Sequence, residues 1–167
     1  LDVEGFKHAV DVTITAQEII VDFASYPTKR IEKSSHEFRP LGLGYANLGG
    51  VLMREAIPYD SPAGREIGAA LSCLLHSVAL TTSAEIAAEL GAFPAFARNR
   101  SHALRVVKNH AVLAGAVPGP PDLLSKDHHR LNLELLPAGW RRVGMLARQQ
   151  AGRALTAVAD HGLRNAQ

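Results

Sequence analysis

The feature that most limits the possible folds is the stretch from Ser61 to Gly91. Ser61 is a favoured N-cap residue, and Pro62 suits the first helical position, where its missing N–H is no loss. Ile67, Leu71, Leu74, Val78, Ile86 and Leu90 then recur at helical spacing, and Gly91 supplies a positive-φ stop. A helix this long and alanine-rich invites close helical neighbours, and the flanking patterns supply them. Asp2 is placed to cap a helix from about Val3 to Ser25, with Phe6, Val10, Ile14, Ala16, Ile20 and Phe23 as its apolar positions and Tyr26-Pro27 as its end. Thr28 to Glu37 reads as a short helix or loop, and Leu48, Leu52 and Met53 mark a helix from about Tyr45 to Ala56. Phe93-Pro94 turns the chain into a shorter helix reaching about Asn109. The last helix is expected from Pro137 to Asp160, ended by His161-Gly162, with Gly144 and Gly152 as liabilities of under ~1 kcal/mol each relative to alanine.

Between these, Ala111 to Asp127 carries Pro118, Gly119, Pro120 and Pro121 and reads as a surface connection. Leu131, Leu133, Leu135 and Leu136 read as a strand or a helix entry, and Leu41–Leu43 as a brief strand. No set of strands makes a sheet of its own. The expected fold class is mainly α, in one segment spanning residues 1–167, which is too short for two comfortable domains.

Charge and composition exclude several functions. The formal net charge is only +2, with acidic and basic residues interleaved and few aromatics, so no direct nucleic-acid surface is indicated. The single cysteine, Cys73, excludes an intramolecular disulfide and a multi-cysteine metal site, and fits a reducing cytoplasm. No charged-then-apolar leader is seen, and no apolar run is read as approaching the ~20 residues that span a bilayer, so no membrane partner is expected. The chain opens on Leu1 and stops at Gln167 without a polar tail, as a piece of something larger would.

The densest glycine stretch runs from Arg39 to Gly50, with Gly42, Gly44, Gly49 and Gly50 among Leu41, Leu43, Tyr45 and Leu48. An apolar segment punctuated this way is expected to be buried against neighbouring backbone. A dinucleotide fingerprint fits poorly, because Asn47 stands where a third glycine belongs and His36 to Pro40 is too polar for a buried strand. The histidines do not converge on a metal: His128 and His129 are adjacent, and His102 and His110 lie two turns apart. Cys73, among Leu71, Leu74 and Leu75, reads as a small buried hydrophobe. His161 reads as a helix-end residue and Arg164 as the partner of a carboxylate, with an anion contact as the functional alternative. No self-contained catalytic set is present.

Six motifs in order carry a resemblance: Thr15-Ala16-Gln17-Glu18 with Asp22 to Pro27; Arg39 to Gly49; Tyr59-Asp60-Ser61; Thr82 to Ala87; Leu90 to Pro94 with Asn99-Arg100; and His161 to Gln167. Together they resemble the large chain of ribonucleotide reductase, most closely its adenosylcobalamin-dependent branch. Departures cluster between Pro118 and Thr156, where Pro137 to Gly152 matches the usual helix loosely. The resemblance implies part of a ten-stranded α/β barrel, acting on ribonucleotides through a cysteine radical under nucleotide effectors. It implies adenosylcobalamin in the parent enzyme and the rest of that chain as partner. The family's Asn-x-Cys-x-Glu loop, its Pro-Thr-Gly-Thr loop and its electron-accepting cysteine pair have no counterparts here, so the isolated segment is expected to be inactive, with no catalytic residue and no cofactor contact of its own. Gly42, Gly44 and Gly49 are implied to be structural glycines near the barrel, and Asn47, Arg164 and Asn165 possible polar contacts. Two other readings stay open: a stand-alone helical protein-interaction module, and a small nucleotide-binding domain built on Gly42 and Gly44.

Overall fold

In the computed structural model, which describes residues 1–122 and 128–166, every regular element is a helix. They run α1 (Val3–Phe23), α2 (Lys29–Phe38), α3 (Leu48–Arg54), α4 (Pro62–Leu90), α5 (Phe96–Leu113) and α6 (Ala138–His161). Side chains close three of the N-termini. Asp2 accepts from the Gly5 N–H at 3.0 Å, Thr28 from Ile31 at 3.2 Å and Ser61 from Gly64 at 3.0 Å, each satisfying a donor that has no partner within the helix.

Helix α4 is the axis. At 29 residues it is about 44 Å long, from 1.5 Å per residue. Helix α6 packs along it, α1 lies against another side, and α5 leans on α6. The eight residues from Ser77 to Ala84 are buried without a break, as in a helix enclosed on all sides. Two apolar clusters result. One gathers Ile14, Leu52, Ile67, Leu74, Leu136 and Trp140. The other joins Leu80, Phe93, Phe96, Val107, Val158 and Leu163. Contrary to the expectation from sequence, α4 is long and apolar enough to cross a membrane, because small and aliphatic residues fill its centre; 72% of that apolar window is buried inside the protein.

The apolar faces differ from expectation in informative ways. On α1 the buried positions are Val10, Ile14, Glu18 and Val21, while Ile20 and Phe23 are 59% and 85% exposed. A carboxylate occupies the core stripe, and the spacing of aliphatic residues alone points to the wrong side. Leu90 is exposed at the end of α4. Helix α3 starts at Leu48 rather than Tyr45, because residues 41–46 stay extended along α4. Helix α5 begins two residues later than expected and continues to Leu113. Leu131 to Leu136 is neither strand nor helix: a turn, anchored by buried Leu131 and Leu136, leads into α6. Gly115 and Gly119, both at positive φ, turn the chain after α5. The rest of the expected surface connection, residues 123–127, lies outside the described residues, as does Gln167.

Candidate functional site

Two features near the ends of α1 and α4 hold the polar chemistry of the chain. The first is a buried ionic cluster. Glu18 of α1, 5% exposed, accepts from Arg39 Nε at 3.1 Å and from Arg39 Nη2 at 2.5 Å. It also accepts from Arg164 Nε at 2.7 Å and from the Asn165 side-chain amide. The Arg39 guanidinium bonds Asp22 as well, at 2.6 and 2.9 Å. Hydrogen bonds from Arg39 hold the Asp22 carboxyl below its ordinary pKa, and donating to Asp22 and Glu18 raises the guanidinium's own. Glu18 and Arg39 are thus paired where water is largely excluded, as buried charges require, while Asp22 closes the cluster at the half-exposed edge.

Ser83 of α4 extends the cluster. Its hydroxyl donates to Asn165 Oδ1 at 3.1 Å and accepts from the Asn165 backbone N–H at 3.0 Å. Its carbonyl accepts from the Arg164 N–H at 3.1 Å. Arg164 and Asn165, the polar contacts expected from sequence, therefore meet here. Their partners Glu18, Arg39 and Ser83 were not singled out. Glu18 had one local signal, a charge at helical spacing between Ile14 and Val21.

The second feature is the glycine stretch. Leu41, Leu43 and Tyr45 are half-buried, while Gly42, Gly44 and Ala46 alternate with them and are exposed. The two-residue period of extended chain produces this pattern. Tyr45 donates its hydroxyl to the Gly68 carbonyl at 3.2 Å, and Gln17 of α1 donates to the Gly42 carbonyl at 2.9 Å. The expectation of glycines buried against backbone is corrected. A Cβ at Gly42 or Gly44 would meet nothing within 4 Å, and neither residue has a positive φ. Nor is Leu41–Leu43 a strand, since it has no strand beside it among the described residues. Among the described residues, the backbone N–H groups from Gly42 to Ala46 have no hydrogen-bond partner, and the single backbone bond of this segment's N–H groups runs from Leu41 to the Ala166 carbonyl at 3.0 Å. Gly49 is half-buried at the start of α3, near the Tyr59 ring, and Asn47 sits before it at φ 68° without capping the helix. Gly44, Asn47 and Gly49 line a cleft of about 780 Å³ with Met53 and Tyr59. That cleft is apart from the ionic cluster.

A third group lies in the middle of α4. His76 and His110 meet with ring centroids 4.3 Å apart and planes tilted by 55°, beside a cavity of about 330 Å³ that Cys73 also lines. Burial and the neighbouring His110 lower the His76 pKa from 6.5 to about 4, and burial lowers that of His110. Burial pushes the Cys73 thiol up, so it is a poor nucleophile. Its sulfur lies 3.5 Å from the Ala147 carbonyl. His129 pairs with Glu66 at 2.9 Å instead of joining His128 at a metal. None of these groups has the nucleophile–base–orienter geometry of a catalytic set.

Comparison with known proteins agrees with this picture of a part. The family described as ribonucleotide reductase, barrel domain, matches residues 1–167. The vitamin B12-dependent ribonucleotide reductase of Bradyrhizobium diazoefficiens is 42% identical over 168 residues, covering 99% of this chain and 13% of that protein. That of Agrobacterium fabrum is 40% identical over 169 residues, covering 100% of this chain and 13% of the relative. That of Rhodopirellula baltica is 50% identical over 109 residues, 65% of this chain and 10% of the relative. The chain thus spans about an eighth of the length of the first two relatives.

Proposed function

This chain belongs to the ribonucleotide reductase barrel-domain family, and from that membership we propose that it is one helical segment of a vitamin B12-dependent reductase. The parent would convert ribonucleotides to 2′-deoxyribonucleotides, under nucleotide effectors, with chemical groups that lie outside residues 1–167. The observation that carries this reading is the extended run 41–46. It has the side-chain alternation of a strand, a face made of Gly42, Gly44 and Ala46, and unpaired backbone N–H groups. A neighbouring strand would satisfy those groups and could approach closely over the glycines. Leu41 and Ala166 already lie side by side, so the chain around both positions would enter the barrel together.

The cofactor of the parent would be adenosylcobalamin, which supplies the radical chemistry. The residues here do not fit it. His76, His110 and His129 line one cavity, yet the His76 Nε2 is closed off from solvent and His129 is paired with Glu66. No step is therefore assigned to this segment; its part is to hold the barrel. Cys73 is a free thiol, which supports a reducing, cytoplasmic setting.

The test compares two proteins with adenosylcobalamin, a dithiol and ribonucleoside di- or triphosphate. The full parent chain should form deoxyribonucleotide, and purified residues 1–167 should not. Turnover by the segment alone, or none by the parent under any of these conditions, overturns the proposal.

A further inference from the structure

The ionic cluster joins segments that are far apart in sequence. Glu18 and Asp22 come from α1, Arg39 caps α2, Ser83 belongs to α4, and Arg164 and Asn165 follow α6. Directly beside the cluster, the Ala166 N–H donates to the Phe38 carbonyl at 3.1 Å and the Leu41 N–H to the Ala166 carbonyl at 3.0 Å. Arg39 itself sits at φ 47°, in the left-handed region, immediately before Pro40. A side-chain-bearing residue holds that strained conformation only where its surroundings over-determine it. Here the two carboxylates of α1 grip its guanidinium through both oxygens of each.

Buried ion pairs add little net stability, and their best-attested use is to fix one registry among alternatives. The extended run beyond Arg39 needs such a device. A slip of one residue would turn Leu41, Leu43 and Tyr45 outward and bring Gly42, Gly44 and Ala46 onto α4. Beyond Arg39 the run is held by the Leu41 bond to Ala166, by Gln17 on the Gly42 carbonyl and by the Tyr45 hydroxyl on the Gly68 carbonyl, and the grip on Arg39 sets where that series starts.

We propose that Glu18 is a positioning residue, whose carboxylate fixes the register in which the chain after Arg39 and the chain around Ala166 lie side by side toward the reductase barrel. The inference rests on the reductase reading above, because only a parent enzyme gives that register a catalytic consequence. The carboxylate suits the role because all its partners are donors: Arg39, Arg164 and Asn165 converge on its two oxygens. Each oxygen accepts from two donors, so an amide in its place turns an N–H₂ toward two of these groups at once.

The test uses the full-length reductase. In Glu18→Gln, kcat should fall about 10- to 100-fold with KM for the nucleotide changed less than about twofold, the signature of misplacement rather than lost binding. Hydrogen exchange at the Leu41 and Ala166 amides should quicken, while that of α4 from Ala79 to Ala84 stays at the wild-type rate. The double variant Glu18→Gln/Asn165→Asp moves the acid across the same hydrogen bond but leaves the Arg39 Nε–H facing the amide, and should recover part of the lost kcat and of the slow exchange at both amides. An active wild type whose kcat and local exchange are untouched by Glu18→Gln overturns the inference and leaves the reductase reading intact. If Glu18→Gln unfolds the whole chain, the double variant decides: recovery of the fold with slow exchange at Leu41 and Ala166 supports the role, and its failure overturns it. A wild type without reductase activity overturns the reading beneath, and exchange at the two amides still judges Glu18's hold on the register.

Discussion

Two glycines on α6 should respond to alanine in opposite directions. Propensity alone treats Gly144 and Gly152 alike: each Gly→Ala in a helix interior gains about 0.8–1 kcal/mol. Around Gly152 nothing resists, since a Cβ would lie 3.8 Å from that of Ala116, an ordinary contact. At Gly144 the Cβ would lie 2.5 Å from Leu136 Cδ1 and 2.6 Å from Leu133 Cδ2. Leu136 is 2% exposed and part of the core, so it gives way only by repacking its neighbours. Overpacking of this kind costs about 1–3 kcal/mol, which cancels or exceeds the propensity gain. Gly152→Ala should therefore stabilise by about 1 kcal/mol, a rise in Tm of about 2–4 °C for a chain of this size. Gly144→Ala should lose up to about 2 kcal/mol net, leaving the two variants about 1–3 kcal/mol apart. Urea titrations followed by helical circular dichroism measure both. Equal stabilisation by the two substitutions would show that the turn from Leu131 to Leu136 does not hold α6 as closely as described.

Three further outcomes follow from the core. His76 binds a proton less readily folded than unfolded, with its pKa about 4 against 6.5. The unfolded state therefore takes up more protons in that window, and stability should fall as pH drops from 6.5 to 4, by at most about 3 kcal/mol from this residue. His110 adds in the same direction. His76→Leu, which also removes a buried unpartnered nitrogen, should flatten that pH dependence in denaturation curves; an unchanged slope contradicts the assignment. Ser83→Ala strips the Asn165 N–H and Oδ1 of their partner in a buried site and should cost about 1–3 kcal/mol by urea midpoint, whereas a loss under about 0.5 kcal/mol would mean that water replaces the hydroxyl. Leu74→Ala, at a position with no exposure, should cost about 2–5 kcal/mol, and a smaller loss by the same titration would mean that the core collapses around the gap.

The helices were legible because their signals are local. Asp2, Ser61-Pro62 and the glycines at 91 and 162 act within a turn of where they stand, whereas the Thr28 cap goes unread in the sequence and leaves α2 open between helix and loop. What could not be read was long-range pairing. Glu18 meets Asn165 across 147 residues of chain, and no spacing rule links them. The same carboxylate spoiled the reading of α1, since a charge on the core stripe is invisible to a count of apolar residues. Arg164 shows the opposite case: a base after a helix stop suggests a carboxylate partner in general, but only the fold says it is Glu18. The glycine stretch was singled out for its composition, yet Gly42 and Gly44 are exposed while Gly49 is half-buried; on the proposed reading, elements of the parent pack over the first two. Gly144 looked like a liability by propensity and is instead the point where Leu133 and Leu136 come closest to α6.

The central claim is that residues 41–46 are a strand waiting for its sheet. Hydrogen exchange of the backbone amides from Gly42 to Ala46, read in isolated residues 1–167 and again in the full-length parent, tests it most directly. The amides should exchange freely in the segment, where they have no partners among the described residues, and be strongly protected in the parent. Protection already present in the segment, or free exchange in both proteins, would contradict the account.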